Sequence, residues 1–175
     1  MILATVVPKY NGAVFEALVG AIPEGITKGL AVGGEEVRMN AMSNILNEGH
    51  GLTGALANSI QYEAGETENG VTTGYVKTGA LPQASTLEFG TGIFAENGQG
   101  SAPWFVHKDE APDLGIYFSL FTRDDGTKTD FYRIVGAHPH PYLRPAINNK
   151  KDDVNRAVKS AVADAIRGVI PYATK

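Results

Sequence analysis

Residues 57–77 read ANSIQYEAGETENGVTTGYVK. Asn69 and Gly70 both tolerate positive φ, and β-branched and aromatic residues lie on either side of them. The spacing predicts strands over 57–66 and 71–77 joined by a tight hairpin. Asp124-Asp125-Gly126 gives the same signal further along, between Ile116–Thr122 and Thr129–Val135. Two hairpins of this kind call for an antiparallel sheet with one face to bury, so the segments around them must supply the cover.

Those segments read as helices. After a short extended arm over residues 1–8, Val14, Leu18 and Ala21 or Ile22 recur at helical spacing, predicting a short helix from Asn11 to about Ala21. Pro23 then suits the first turn of a second helix, running to about Asn47, with Ile26, Leu30, Val37, Ala41 and Ile45 on one stripe. Gly33-Gly34 predicts a bend in it, because each glycine weakens a helix interior by roughly 1 kcal/mol. Residues 84–89 fit either a short strand or a helical turn. Pro145 opens a last helix, expected to end near Gly168, on which Ile147, Val154, Val158, Val162, Ile166 and Val169 recur at helical spacing. The order predicts a single α+β domain over 1–175: a small antiparallel sheet of two hairpins packed with two N-terminal helices and one C-terminal helix. Residues 92–114 are expected to form a long glycine-rich loop, ordered only on assembly because it carries Ile93, Phe94, Trp104 and Phe105.

Composition narrows the function classes. With 175 residues and 43% apolar content the chain is long enough to bury a core. Glycine is abundant, 21 residues against an average of roughly 7%. No apolar run reaches the ~18 residues of a membrane span and no leader pattern opens the chain, so a soluble protein made in a cytoplasm is expected. The absence of cysteine excludes disulfides, thiol nucleophiles and thiolate metal sites. The net charge of −4 is uneven: residues 1–100 carry four bases against ten acids, and residues 144–175 seven bases against three acids. This pattern fits a solvated helix face, or an acidic face of one subunit meeting a basic helix of its neighbour. The bases lack the interleaved aromatics of a nucleic-acid reader.

Two phrases stand out. In Glu88-Phe89-Gly90-Thr91-Gly92-Ile93-Phe94-Ala95-Glu96-Asn97-Gly98, the paired glycines permit a sharp turn straight after Phe89. No phosphate-loop spacing accompanies them. In His138-Pro139-His140-Pro141-Tyr142-Leu143-Arg144-Pro145-Ala146-Ile147, three prolines hold the chain extended up to a helix start. By itself the first phrase fits a tight turn after an apolar segment, and the second a rigid connection packed into the subunit's own core.

Together, in this order, the phrases resemble the head–tail joining (neck, or tail-completion) proteins of long-tailed bacteriophages. The resemblance spans roughly residues 25–165. It rests on Gly54, Leu56, Ser59 and Ile60, then Glu88 to Gly92, Ala95 to Gly98, Pro103-Trp104, and Pro139 to Ala146. The sequence departs from the pattern in a longer stretch between Trp104 and Pro139, and in His140 where a glutamine is expected. The resemblance implies a structural virion protein and no enzyme: a subunit of a homo-oligomeric ring, hexameric or dodecameric, that joins head to tail or completes the tail. Its implied partners are itself, the head connector and the tail-tube or tail-terminator proteins, with DNA passing through the ring without sequence-specific contact. It implies assembly in the host cytoplasm and no membrane, cofactor, metal or catalytic residue. The implied interface residues are Glu88, Phe89, Gly90, Thr91, Gly92, Trp104, Pro141, Tyr142, Leu143, Arg144 and Pro145.

Two other readings compete. A tail terminator capping the tail tube belongs to the same class. A small metal-dependent hydrolase would use His107, His138 and His140 with Glu110 or Glu88, but no metal-ligand spacing accompanies these histidines. Two finer expectations follow from the phrases. Glu88 and Arg144 should lie close, and on the stiff strut Leu143 should face the core while Tyr142 faces a neighbour, because adjacent residues of an extended segment point opposite ways.

Overall fold

The computed structural model describes residues 12–47, 54–79, 82–96, 102–111 and 119–169. The fold is α+β. The elements are α1 (Gly12–Asn47), α2 (Ala55–Asn58), β1 (Gln61–Glu68), β2 (Val71–Lys77), α3 (Pro82–Phe89), a 3-10 turn (Gly92–Phe94), β3 (Trp104–His107), β4 (Leu120–Thr122), β5 (Lys128–Ile134) and α4 (Leu143–Val169). They divide into two compact units, Met1–Gly79 with Leu143–Lys175, and Ala80–Tyr142. The expected N-terminal arm lies outside the described residues.

The first unit is built on α1 and α4. The two helices expected on either side of Pro23 are one continuous helix. Proline's fixed φ is itself helical, so the ring can sit inside a helix at the cost of one backbone hydrogen bond. Gly33 and Gly34 both lie buried within the helix. Gly25, Gly29 and Gly33 recur every four residues and meet Val162, Val158 and Val154 of α4, which recur at the same interval. A Cβ at Gly29 would lie 2.3 Å from the Cα of Val158 and 2.9 Å from its nitrogen. The helices therefore touch backbone to side-chain root, closer than any larger residue allows. The predicted stripe holds beyond this contact, with Val37, Ala41 and Ile45 buried, whereas Ile147 at the start of α4 is exposed. Lys150 of α4 bridges Glu36 of α1 at 3.2 Å and Asp153 at 3.1 Å. Its hydrogen bond holds the Asp153 carboxyl below the ordinary value. These half-buried ion pairs at the helix surface orient the helices more than they stabilise them.

β1 and β2 form the first hairpin, antiparallel from Gln61↔Lys77 to Glu68↔Val71 with an irregularity between Ala64 and Thr67. Asn69 and Gly70 turn it with φ of 51° and 78°, as both residues allow. The first strand begins later than predicted because Ala55–Asn58 form a helical turn, which buries Leu56 and Ala57; Ile60 just after it is buried too. The inward face of the hairpin presents Tyr62 to α1, where a Cβ on Gly34 would meet the ring at 2.2 Å. The Tyr62 hydroxyl is buried with no hydrogen-bond partner among the described residues, and burial pushes its pKa up.

The second unit holds α3 and a separate three-stranded sheet in the order β3-β5-β4. The two hairpins thus belong to two sheets rather than one. Residues 84–89 are helical, opened by Pro82 in the first turn. The expected loop over 92–114 is corrected in part: Gly92–Phe94 form a 3-10 turn and Trp104–His107 form β3, paired with β5 from Trp104↔Ile134 to His107↔Phe131. Phe131 and Ile134 give Trp104 and His107 an ordered place that glycine content alone conceals. Residues 97–101 and 112–118 lie outside the described residues, as do Ile116, Tyr117 and Phe118 of the expected strand.

Two substitutions test the helix contact. Gly29→Ala should destabilise by about 1–3 kcal/mol through overpacking. Gly20→Ala, where an added Cβ meets nothing within 4 Å, should stabilise by about 0.5–1 kcal/mol. Denaturant melts of the two proteins should move in opposite directions, and equal stabilisation by both would disprove the close approach. Tyr62→Phe should raise stability by about 1 kcal/mol or leave it unchanged, since it removes a buried hydroxyl without a partner; a clear loss on thermal melting would show that the hydroxyl is satisfied.

Candidate assembly site

The two sequence phrases meet in the second unit, within Glu88–Glu96 and Val135–Tyr142. Glu88 lies in the last turn of α3 and is 3% exposed, the one buried charged residue among those described. Its Oε2 accepts the backbone N–H of Tyr142 at 2.8 Å. A carboxylate buried this deeply is tolerated only when backbone or side-chain donors replace its water. Gly90, with φ of 73°, ends α3 by donating its N–H to the Thr86 carbonyl at 2.9 Å.

Thr91 then grips the other strand at two points. Its N–H donates to the Ala137 carbonyl at 2.9 Å, and its Oγ1 accepts the Ala137 N–H at 3.0 Å. Ile93 donates to the Val135 carbonyl at 2.9 Å, and His140 donates to the Leu87 carbonyl at 2.7 Å. Gly92 and Gly136 make this approach possible. Both have positive φ, 60° and 131°, and a Cβ would lie 2.0 Å from the Val135 carbonyl oxygen or 2.1 Å from the Thr91 carbonyl oxygen respectively. The result is a knot in which the glycine turn and the proline strut are one hydrogen-bonded body. The Phe94 ring tilts against the His138 ring, centroids 3.7 Å apart.

The knot sorts the predicted residues. Tyr142 is 2% exposed and ranks among the largest fully buried side chains, while Leu143 is half-buried. This reverses the expected sides of the strut. The bond from Tyr142 N–H to Glu88 fixes the inward side at Tyr142, and the extended alternation ends where Leu143 begins α4. Arg144 is exposed and Pro145 half-buried, both in the first turn of α4; Pro141 is half-buried. Phe89 and Ile93 sit on the knot with their side chains outward, 46% and 64% exposed. Trp104 lies in β3 opposite Ile134 and is partly exposed. Of the histidines of the hydrolase reading, the His138 ring meets the Phe94 ring and the His107 ring meets the Phe131 ring at 5.0 Å, while the backbone N–H of His140 donates to the Leu87 carbonyl. Among the described residues no three His, Asp or Glu side chains converge as a metal site would require.

Sequence reasoning missed Leu87, Val135, Gly136 and Ala137, which supply half of the knot. Gly136, placed straight after a predicted strand, was the available signal. Compared with protein-family models, curated proteins and solved structures, the chain matches none.

Tyr142→Ala should cost about 3–5 kcal/mol of folding stability, as large buried side chains do, and more than Leu143→Ala. Glu88→Ala should cost about 1–3 kcal/mol by stranding a buried N–H. Chemical denaturation of the three proteins ranks them; a Leu143→Ala loss exceeding that of Tyr142→Ala would restore the opposite orientation of the strut.

Proposed function

We propose that this chain is the subunit of a homo-oligomeric ring at the head–tail interface of a long-tailed bacteriophage, where it joins head to tail or completes the tail. The role is structural. The observation that carries the reading is the knot itself: the two phrases behind the resemblance, some fifty residues apart, form one hydrogen-bonded body that holds Ile93 outward. Large apolar side chains displayed on a stiff frame lose little entropy when a partner covers them. α1 adds Val19 and Ile22, exposed at helical spacing on one face. A monomer gains nothing from leaving such side chains in water, whereas a ring subunit buries them against its neighbours. The partners in this reading are further copies of the chain, the head connector and the tail-tube or terminator protein. DNA would pass through the ring without sequence-specific contact, and the protein would reside in the virion after assembly in the host cytoplasm.

Native mass spectrometry of the purified protein, alone and mixed with tail tubes from the neighbouring genes, tests this. A closed ring and its co-migration with tubes are expected. Ile93→Asp should abolish the ring while leaving the melting temperature of the subunit unchanged. A strictly monomeric protein that ignores tail tubes would overturn the reading.

A further inference from the structure

The three-stranded sheet has one covered face and one open face. Alternation along β5 puts Tyr132 on the covered side, where it is buried, and Thr129, Phe131 and Arg133 on the other. The register adds Phe105 opposite Arg133 and His107 opposite Phe131. The Phe121 ring of β4 meets Phe105 edge-on at 5.3 Å. Phe105, Phe121, Arg123, Thr129 and Phe131 line an apolar hollow of about 320 Å³, with Phe105 50% and Phe131 42% exposed. Its charge is positive. Arg123 and Arg133 carry no ion pair among the described residues. The nearby acids are engaged or outside the hollow: Asp130 pairs with Lys108 at 2.7 Å, Asp125 accepts the Thr127 N–H at 2.8 Å, and Asp124 does not line it.

The first hairpin offers the complementary surface. Its inward face, with Tyr62, Gly74 and Val76, is turned to α1. Its outward face is a groove of about 690 Å³ that includes Glu63, Glu66, Glu68, Val71 and Tyr75. Val71 and Tyr75 are 62% and 54% exposed. Glu63 pairs with Lys77, whereas Glu66 and Glu68 have no cation among the described residues.

We propose that the open Phe105–Phe121–Phe131 face of one copy receives the outward face of the β1–β2 hairpin of a second copy, with Arg123 and Arg133 meeting Glu66 and Glu68 around Val71 and Tyr75. Aromatic anchors ringed by opposite charges are the pattern of a specific interface. A nucleic-acid strand fits the face less well, since two arginines on a chain of net charge −4 offer little phosphate neutralisation. The two patches differ, so the contact is heterologous. Each copy keeps one patch free after pairing, and assembly continues until a ring closes. The inference rests on the ring reading only in taking a second copy as the partner.

A complementation experiment tests it. Arg123→Glu/Phe131→Ser removes the sheet patch and keeps the hairpin; Glu66→Lys/Glu68→Lys removes the hairpin patch and keeps the sheet. All four positions are half-buried or exposed at the surface, and melting curves matching the unaltered protein verify folding. Where the first variant melts early, Arg123→Glu/Arg133→Glu replaces it. On native mass spectrometry each variant alone should be monomeric, and an equimolar mixture should yield a dimer of one of each. Rings retained by both variants would overturn this contact while leaving the ring reading intact. A mixture that stays monomeric would overturn it as well, and an unaltered protein that never assembles would overturn both. Binding of an oligothymidylate that the sheet variant loses would assign the face to nucleic acid instead.

Discussion

The approach of α1 to α4 constrains everything in the first unit. Gly25, Gly29 and Gly33 place backbone against the roots of Val162, Val158 and Val154, segments more than 120 residues apart in the chain. Dispersion falls off steeply with distance, so atoms brought into contact by the missing side chains attract more strongly than they would across a leucine. The same glycines lower intrinsic helix stability by roughly 1 kcal/mol each, so α1 depends on its partner for the stretch that makes the contact. The hairpin uses the same device once more, its Tyr62 ring lying where a side chain at Gly34 would stand.

The second unit is held differently, by polar groups at short range. The Glu88 carboxylate and the backbone N–H groups of Thr91, Ile93 and His140 join α3 and the glycine turn to the strut, and the glycines at 92 and 136 remove the side chains that would keep the strands apart. A knot of this kind resists deformation because each bond restrains the geometry of the next. Its burial of Tyr142 and exposure of Ile93 separate a side chain that holds the knot together from one left at its surface.

Surface chemistry carries the same division. The acidic hairpin and the basic, aromatic sheet face hold opposite charges beside exposed apolar side chains. Charges of this kind steer encounter and set register, while the apolar groups they surround supply most of the attraction. The assembly proposed above, built on unlike patches, would be directional.

By itself the sequence determined the local elements wherever one residue's conformational preference decides. Asn69-Gly70 turns a hairpin because both residues accept positive φ, and Val37, Ala41 and Ile45 predict a buried face because their spacing matches the helix. The glycine turn and proline strut were also visible as stiff, unusual text. Their union was not, because it runs through the main-chain atoms of Leu87, Val135 and Ala137, which carry no side-chain signal. Tertiary structure alone decided that Pro23 lies inside one helix, that Gly33 and Gly34 lie in close contact with other segments, that the two hairpins enter different sheets, and that Tyr142 rather than Leu143 faces inward. In each case the deciding term is an interaction with a distant segment: a valine of α4, the ring of Tyr62, the edge of β5, the carboxylate of Glu88. Propensity describes a residue against water, and these residues are set by what packs against them.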